Sequence, residues 1–229
     1  MTALAFIPAR AGSKRIPRKN VRLLGGLPLV GHTIAAARAA EIFTEIVVST
    51  DDPEVLGIAA REGVRGDARP EALGGDHVRF VEVLDEFLRR PANDGAFTHV
   101  AVLLPTCPVR SAEDIAGAFA MHRSAPPDAT VVSVAAYDFP PEYACDLRHD
   151  GALQLRKPDV YIRSTQSQSL TPSYHPNGAI YLTTVAKFLS QKTFFAQPLL
   201  GYLMPPERSF DIDYPHQFDL AEALITTRK

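Results

Sequence analysis

The chain has 229 residues, 46% of them hydrophobic and 22% charged, with a formal net charge of −2. That make-up suits one globular domain with a sizeable core. The near-neutral balance excludes a surface that coats nucleic acid, which needs basic excess over a whole face. No apolar run approaches membrane-spanning length, and the N-terminus lacks the charged-then-apolar build of a signal peptide. Two cysteines, Cys107 and Cys145, show no metal or redox spacing. The expectation is a cytoplasmic protein with reduced thiols.

In chain order, "ALAFIP" (3–8) reads as a buried strand, followed by a loop holding Arg10, Lys14, Arg15, Arg18 and Lys19 and no acidic residue. A helix is expected over 29–40, then the β-branched strand "EIVVST" (45–50). Asp51 and Asp52 follow, and Pro53 suits the first turn of a helix running to Arg61. "FVEVLDEFLRR" (80–90) spaces its apolar residues at helical intervals. "THVAVLLP" (98–105) reads as an apolar strand, and "SAEDIAGAFAMHR" (111–123) opens with Ser111 as N-cap and acids in its first turn. After the strand "ATVVSVAAY" (129–137) the rhythm breaks. Residues 138–175, rich in Pro, Ser and Gln, read as a functional or interfacial arm, in form a β-hairpin. The alternation resumes with "GAIYLTT" (178–184), a short helix near 184–190, the strand "LLGYLMP" (199–205) and a last helix from about His216.

Strands alternating with helices imply an α/β domain spanning 1–229, with a mainly parallel sheet covered on both faces. In such folds ligands sit beyond the carboxyl ends of the strands, where the basic loop lies. It is neither a Walker loop nor a dinucleotide fingerprint: GxxxxGK[ST] is absent and Gly12 is its only glycine. On these residues alone, a cradle for a triphosphate and a solvated basic loop both remain open. In "SFDIDYPHQFDLAEAL" (209–224) Asp211 and Asp213 flank Ile212, so in an extended segment both carboxylates point one way and Ile212 points into the core. Such a pair suits a Mg²⁺ bridging to phosphates; the plainer alternative is that Asp213 caps the following helix. A polycationic loop and paired carboxylates in one domain suggest nucleotidyl transfer.

"IPARAGSKRIPRKN" closely resembles the opening signature of the acylneuraminate cytidylyltransferases, and the resemblance continues in order. "PLVGHTIAAA", "IVVSTDDPEV", "RPEALGGD", "LLPTCPVR", "YHPNGAIYL" and "SFDIDYPHQFDLAEA" follow it. It implies a Rossmann-like nucleotidyltransferase that joins CTP and a nonulosonic acid into a CMP-sugar and pyrophosphate with Mg²⁺. It also points to a homodimer whose arm crosses to the partner. By position in the motifs, Arg10, Lys14 and Lys19 would neutralise the triphosphate, with Ser13 adding a hydroxyl donor. Asn20 and Arg69 would hold cytidine, with Asp76 a further candidate, and Asp211 and Asp213 would carry the metal. Leu104, Gln168, Tyr174, Asn177, Tyr181, Phe194 and Phe195 would line the sugar pocket, with His175 beside it; for the two phenylalanines, plain core packing is the competing reading. A KDO-type cytidylyltransferase and a non-catalytic nucleotide-binding module are the competing functions.

Three departures bear on the sugar. Leu104 stands where sialic acid synthetases have Gln, Ser167 where the arm carries Arg, and Glu142 where it carries Lys. Arg163, Lys157 or Arg156 could compensate for the two missing cations. "DFPPEY" and "SQSLTPSYH" resemble the pseudaminic branch, whereas "NGAIYL" resembles the sialic and legionaminic branch. The expected substrate is a nine-carbon bacterial-type sugar acid other than plain N-acetylneuraminate.

Overall fold

A computed structural model describes residues 1–75, 77–162 and 170–226. The chain runs through β1 (Ala3–Pro8), a small hairpin of β2 (Leu23–Leu24) and β3 (Leu27–Pro28), α1 (Leu29–Ala39), β4 (Glu45–Thr50), α2 (Pro53–Arg61) and β5 (Arg65–Ala68). Next come α3 (Phe80–Arg89), β6 (His99–Val102), α4 (Ala112–Ser124) and β7 (Thr130–Ala136). The arm contributes β8 (Cys145–Leu147), β9 (Leu153–Leu155) and α5 (Pro158–Ile162). β10 (Tyr174–Thr184), α6 (Val185–Gln191), β11 (Leu199–Leu203) and α7 (Pro215–Thr226) complete it.

The main sheet has the order β11-β7-β10-β6-β1-β4-β5. β1 pairs in parallel with β4 and β6, β4 with β5, and β7 with β11, while β10 is antiparallel to both its neighbours. The period-2 alternation of β1 explains the layering. Ala3, Ala5 and Ile7 pack on one face with Val30 and Ile34 of α1, Val55 and Ile58 of α2, and Ile115 and Phe119 of α4. Leu4 and Phe6 pack on the other with Val83, Leu84 and Phe87 of α3 and Phe188 of α6. Burial on both faces is why these strands read as continuous apolar runs.

The helices start where the sequence places them. Asp52 accepts from the backbone N–H of Glu54 with Pro53 in the first turn, and Ser111 and Asp114 form a reciprocal capping box. Several elements differ from expectation: the β2–β3 hairpin has no counterpart in the sequence reading, and the strand expected over 98–105 is confined to His99–Val102. "RGDA" has no strand propensity, yet its four residues are β5, defined wholly by pairing with β4 at the sheet edge. β10 starts four residues earlier than expected, because Tyr174–Pro176 pair with β7 before a register shift that resumes at Tyr181. The arm does hold a hairpin, a two-stranded ladder of three residue pairs from Cys145 to Leu155.

Candidate active site

Most of the site lies at the carboxyl edge of the parallel strands. The basic loop leaves β1 and is tied to the neighbouring strand: the Ala9 N–H donates to the Ser49 carbonyl (2.9 Å) and the Ala11 N–H to the Asp51 carboxylate (2.7 Å). Ile16, buried in the middle of this charged loop, packs with Leu24, Leu29, Phe218 and Ile212. The basic loop and the carboxylate segment are thus pegged into one apolar cluster, the first by Ile16 and the second by Ile212 with Phe210 against it. Asn20, in the tight turn Lys19–Val21, donates its amide to the Arg10 carbonyl (2.9 Å) and so closes the loop on itself.

These segments enclose a cleft of about 470 Å³. Arg10, Ser13, Lys14, Lys19, Asn20, Arg69, Leu104 and Asp213 all line it, together with Gly12, Arg15, Val78, Phe80 and Thr106. Eight expected site residues from four separated stretches therefore meet at one place. Lys19 donates to the Ile212 carbonyl (2.7 Å) and stands 3.5 Å from Asp213, whose other oxygen receives Arg15 at 2.9 Å. Asp213 is not the helix cap that local sequence allows; Gln217 Oε1 takes the N–H groups of Asp213 and Tyr214 instead. Arg69 is fixed by the Ser49 carbonyl (2.8 Å), and burial pulls its guanidinium below the usual arginine value, with Asp51 and Asp67 opposing.

Asp211 lies beside Thr106 and Cys107. Protein around it raises its carboxyl above the ordinary value; the Thr106 hydroxyl and Lys19 pull it back, and Asp213 pushes it further up. Two carboxylates close enough to repel suit a shared cation. Among the described residues no group of three or more acidic, histidine or cysteine side chains converges, so protein would supply only these two. A hard cation completing its shell with phosphate oxygens and water, as Mg²⁺ does, fits that donor set.

Phe80 also lines an adjoining apolar pocket of about 320 Å³, walled by Val81, Phe194 and Phe195 and edged by Arg79 and Lys192. Phe195 is exposed, whereas Phe194 is buried in the core between Phe80, Tyr181 and Phe188. Tyr181 is buried behind them, and desolvation pushes its phenol up to about 12. Asn177 is buried, with both polar atoms of its side chain bonded inside the protein. Tyr174 is exposed at the start of β10, and His175 packs against Tyr137. In the arm, Lys157 pairs with Glu142 (3.4 Å) and Arg156 grips Asp146 (3.0 Å). Asp76, Arg163, Ser167 and Gln168 lie outside the described residues.

Three contributors have no site role in the sequence reading. Asp51 secures the loop, Arg15 meets Asp213, and Thr106 reaches Asp211. Arg15 carried a signal, one more cation in a cation-rich loop; the other two depend on contacts that only the fold creates.

A sequence model described as cytidylyltransferase matches residues 4–228. The chain is 36% identical to a CMP-N,N'-diacetyllegionaminic acid synthase of Legionella pneumophila, covering 98% of this chain and 97% of that one. It is 33% identical to an N-acylneuraminate cytidylyltransferase of Escherichia coli over 95% of its length, and spans about half (51%) of that longer protein. Among solved structures it resembles a CMP:2-keto-3-deoxy-manno-octonic acid synthetase complexed with CTP, with a TM-score of 0.71, 19% identity and full coverage of both chains. That likeness bears on the fold. The chain belongs to the cytidylyltransferase family.

Proposed function

Taking that membership as premise, we propose that the chain transfers CMP from CTP to the anomeric hydroxyl of a nonulosonic acid, releasing pyrophosphate. The observation that carries this is the convergence of Arg10, Ser13, Lys14, Lys19, Asn20, Arg69 and Asp213 on one cleft at the strand ends. In attack on the α-phosphorus, charge builds on phosphate oxygens, so positioning and electrostatic stabilisation dominate. Arg10, Lys14 and Lys19 supply the countercharge, and Ser13 adds a donor. Asn20 and Arg69 sit where cytidine would be held between the loop and β4. Asp211 and Asp213 would hold Mg²⁺, which when bound supplies charge neutralisation at the phosphates.

The sugar lies against Leu104 and Phe80, with an acyl substituent directed to the apolar pocket of Phe194 and Phe195. An apolar wall in place of an amide favours a deoxygenated, diacylamido sugar acid over N-acetylneuraminate. Similarity to a diacetyllegionaminic acid synthase supports the same choice. The active unit is a homodimer joined through the arm, working in the cytoplasm. Two free thiols support the compartment.

Pyrophosphate release tests the reading, with CTP, ATP, GTP and UTP each offered alongside N-acetylneuraminate, diacetyllegionaminate, pseudaminate and KDO. Release confined to CTP and fastest with a diacylamido nonulosonate is expected. Release with KDO alone would turn the reading to the KDO branch, and no release with any pair would leave a nucleotide-binding module.

A further inference from the structure

Asn177 is expected by resemblance at the sugar, yet its side chain is fully engaged elsewhere. Its Nδ2 donates to Ser209 Oγ (3.0 Å) and approaches Met204 Sδ (3.4 Å). Its Oδ1 accepts from the Ala179 N–H (3.1 Å) and lies 2.6 Å from the Ser133 hydroxyl. The local backbone explains this arrangement. The register of β10 against β7 shifts between Pro176 and Tyr181, and Gly178 adopts a positive φ of 78°. Irregularities of this kind re-aim side chains beside active sites. A Cβ on Gly178 would also meet Leu104 Cδ1 at 3.3 Å, so the irregularity fits closely beneath the sugar wall.

Ser209 stands two residues before Asp211. The same segment is held at three further points. Arg208 grips the buried Asp114 with two bonds (2.8 and 3.0 Å), the Ile212 N–H donates to the Thr106 carbonyl (2.8 Å), and Lys19 bonds the Ile212 carbonyl (2.7 Å). Cys107 adds a link from the other side, its thiol 3.0 Å from the Asn177 carbonyl and 3.9 Å from Asp211. Of these fastenings, the bond from Asn177 joins the β10 irregularity directly to the carboxylate segment, and Cys107 joins them at one remove.

We infer that Asn177 is a positioning residue: through Ser209 it fixes where Asp211 and Asp213 present their carboxylates, and it does not contact the sugar. The inference rests on the proposed function, in which those carboxylates share a cation with the triphosphate. A pair that must meet one cation tolerates little displacement, so a support behind it tunes affinity without touching substrate.

The test uses the full chain with Ser209→Ala, Asn177→Ser, the double variant and Ser209→Thr. Mn²⁺ binding is followed by electron paramagnetic resonance in the presence of CTP, alongside kcat, the sugar KM and thermal unfolding. Either single change should weaken Mn²⁺ binding to the CTP complex about tenfold and lower kcat comparably, leaving the sugar KM within about twofold. The double variant should be no worse than Asn177→Ser, because both cut the same link. Ser209→Thr, which keeps the hydroxyl, should restore wild-type metal binding. A raised sugar KM with unchanged Mn²⁺ affinity would overturn the inference, as would additive losses. If Asn177→Ser does not fold, Ser209→Ala decides together with Ser209→Thr: the alanine removes the acceptor for Asn177 and also the hydroxyl's own bond to the Pro205 carbonyl (3.0 Å), and the threonine keeps both. The Mn²⁺ titration requires no sugar turnover, so a wild type inactive on every sugar acid would refute the proposed function separately.

Discussion

At the cleft, charged side chains line an open space while buried apolar residues peg the segments that bear them: Ile16 for the basic loop, Ile212 for the carboxylates. The arm reverses this. Phe139, Leu147, Leu153 and Ile162 are 82%, 75%, 63% and 77% exposed, and among its described residues charges meet one another in the Arg156–Asp146, Lys157–Glu142 and Arg148–Asp150 pairs. A single chain therefore supplies every residue of the cleft that the proposed function assigns to the nucleotide. Among its described residues the arm buries no side chain, and two three-residue strands do not stand alone in water. Under the proposed function, catalytic charge would belong to the first region, and assembly and part of the choice of sugar to the second.

The largest effect should come from the cleft. Asp211→Asn and Asp213→Asn should each lower pyrophosphate release by about 10³-fold. The fold should survive, because neither carboxylate packs in the core and Asp211 already sits above its ordinary pKa, so losing its charge relieves a cost. Thermal unfolding within a few degrees of wild type would accompany the lost turnover. Near-normal rates with Mg²⁺ would remove these residues from the metal site.

The arm should respond in oligomeric state instead. Leu147→Asp with Ile162→Asp places charge on the exposed apolar face and should weaken dimerisation by about 10² or more. Light scattering across micromolar concentrations reads this directly. A wild type that is monomeric and fully active would sever the link between arm and assembly.

A gradation also holds for the two thiols. Burial pushes Cys107 up to about 12, with Asp211 adding to the effect, so it should resist alkylation in the folded protein while the half-buried Cys145 reacts. Mass spectrometry after iodoacetamide treatment distinguishes them.

The smallest effect concerns the far edge of the sheet. His99 and His122 meet edge to face, 5.2 Å between centroids, and desolvation lowers both below the ordinary value of 6.5. The unfolded chain then takes up protons before the folded one does. Stability should be full above that value and decline as pH falls below it, with Tm dropping by about 2–4 °C per kcal/mol lost. His99→Gln should flatten the decline; an identical pH profile in the variant would exclude the pair as its source.

Much of this was legible in the sequence because local and global signals agree. The strands β1, β4 and β7 are apolar on both faces, α2 and α4 carry side-chain caps, and the basic loop follows the first strand. The carboxylate segment was legible for the same reason: Asp211 and Asp213 alternate with a residue that belongs in the core. β5 was hidden because its pairing with β4, and not its residues, makes it a strand. Asn177 was placed at the sugar by motif position, while its actual partners, Ser209 and Ser133, lie 32 and 44 residues away in sequence. No period or spacing reports such contacts.

Leu104→Gln tests the separation of nucleotide and sugar recognition most directly. Leu104 lines the cleft together with the basic loop, and neither Arg10, Lys14 nor Lys19 is altered by the change. Steady-state kinetics would compare N-acetylneuraminate with a deoxygenated, diacylamido nonulosonate, and titrate CTP in parallel. Wild type should prefer the diacylamido sugar. The variant should move kcat/KM toward N-acetylneuraminate by about tenfold, with the KM for CTP unchanged within about twofold. A wild type that already prefers N-acetylneuraminate, or a variant in which CTP affinity moves and sugar preference does not, would contradict the assignment of the wall to the sugar and the loop to the nucleotide.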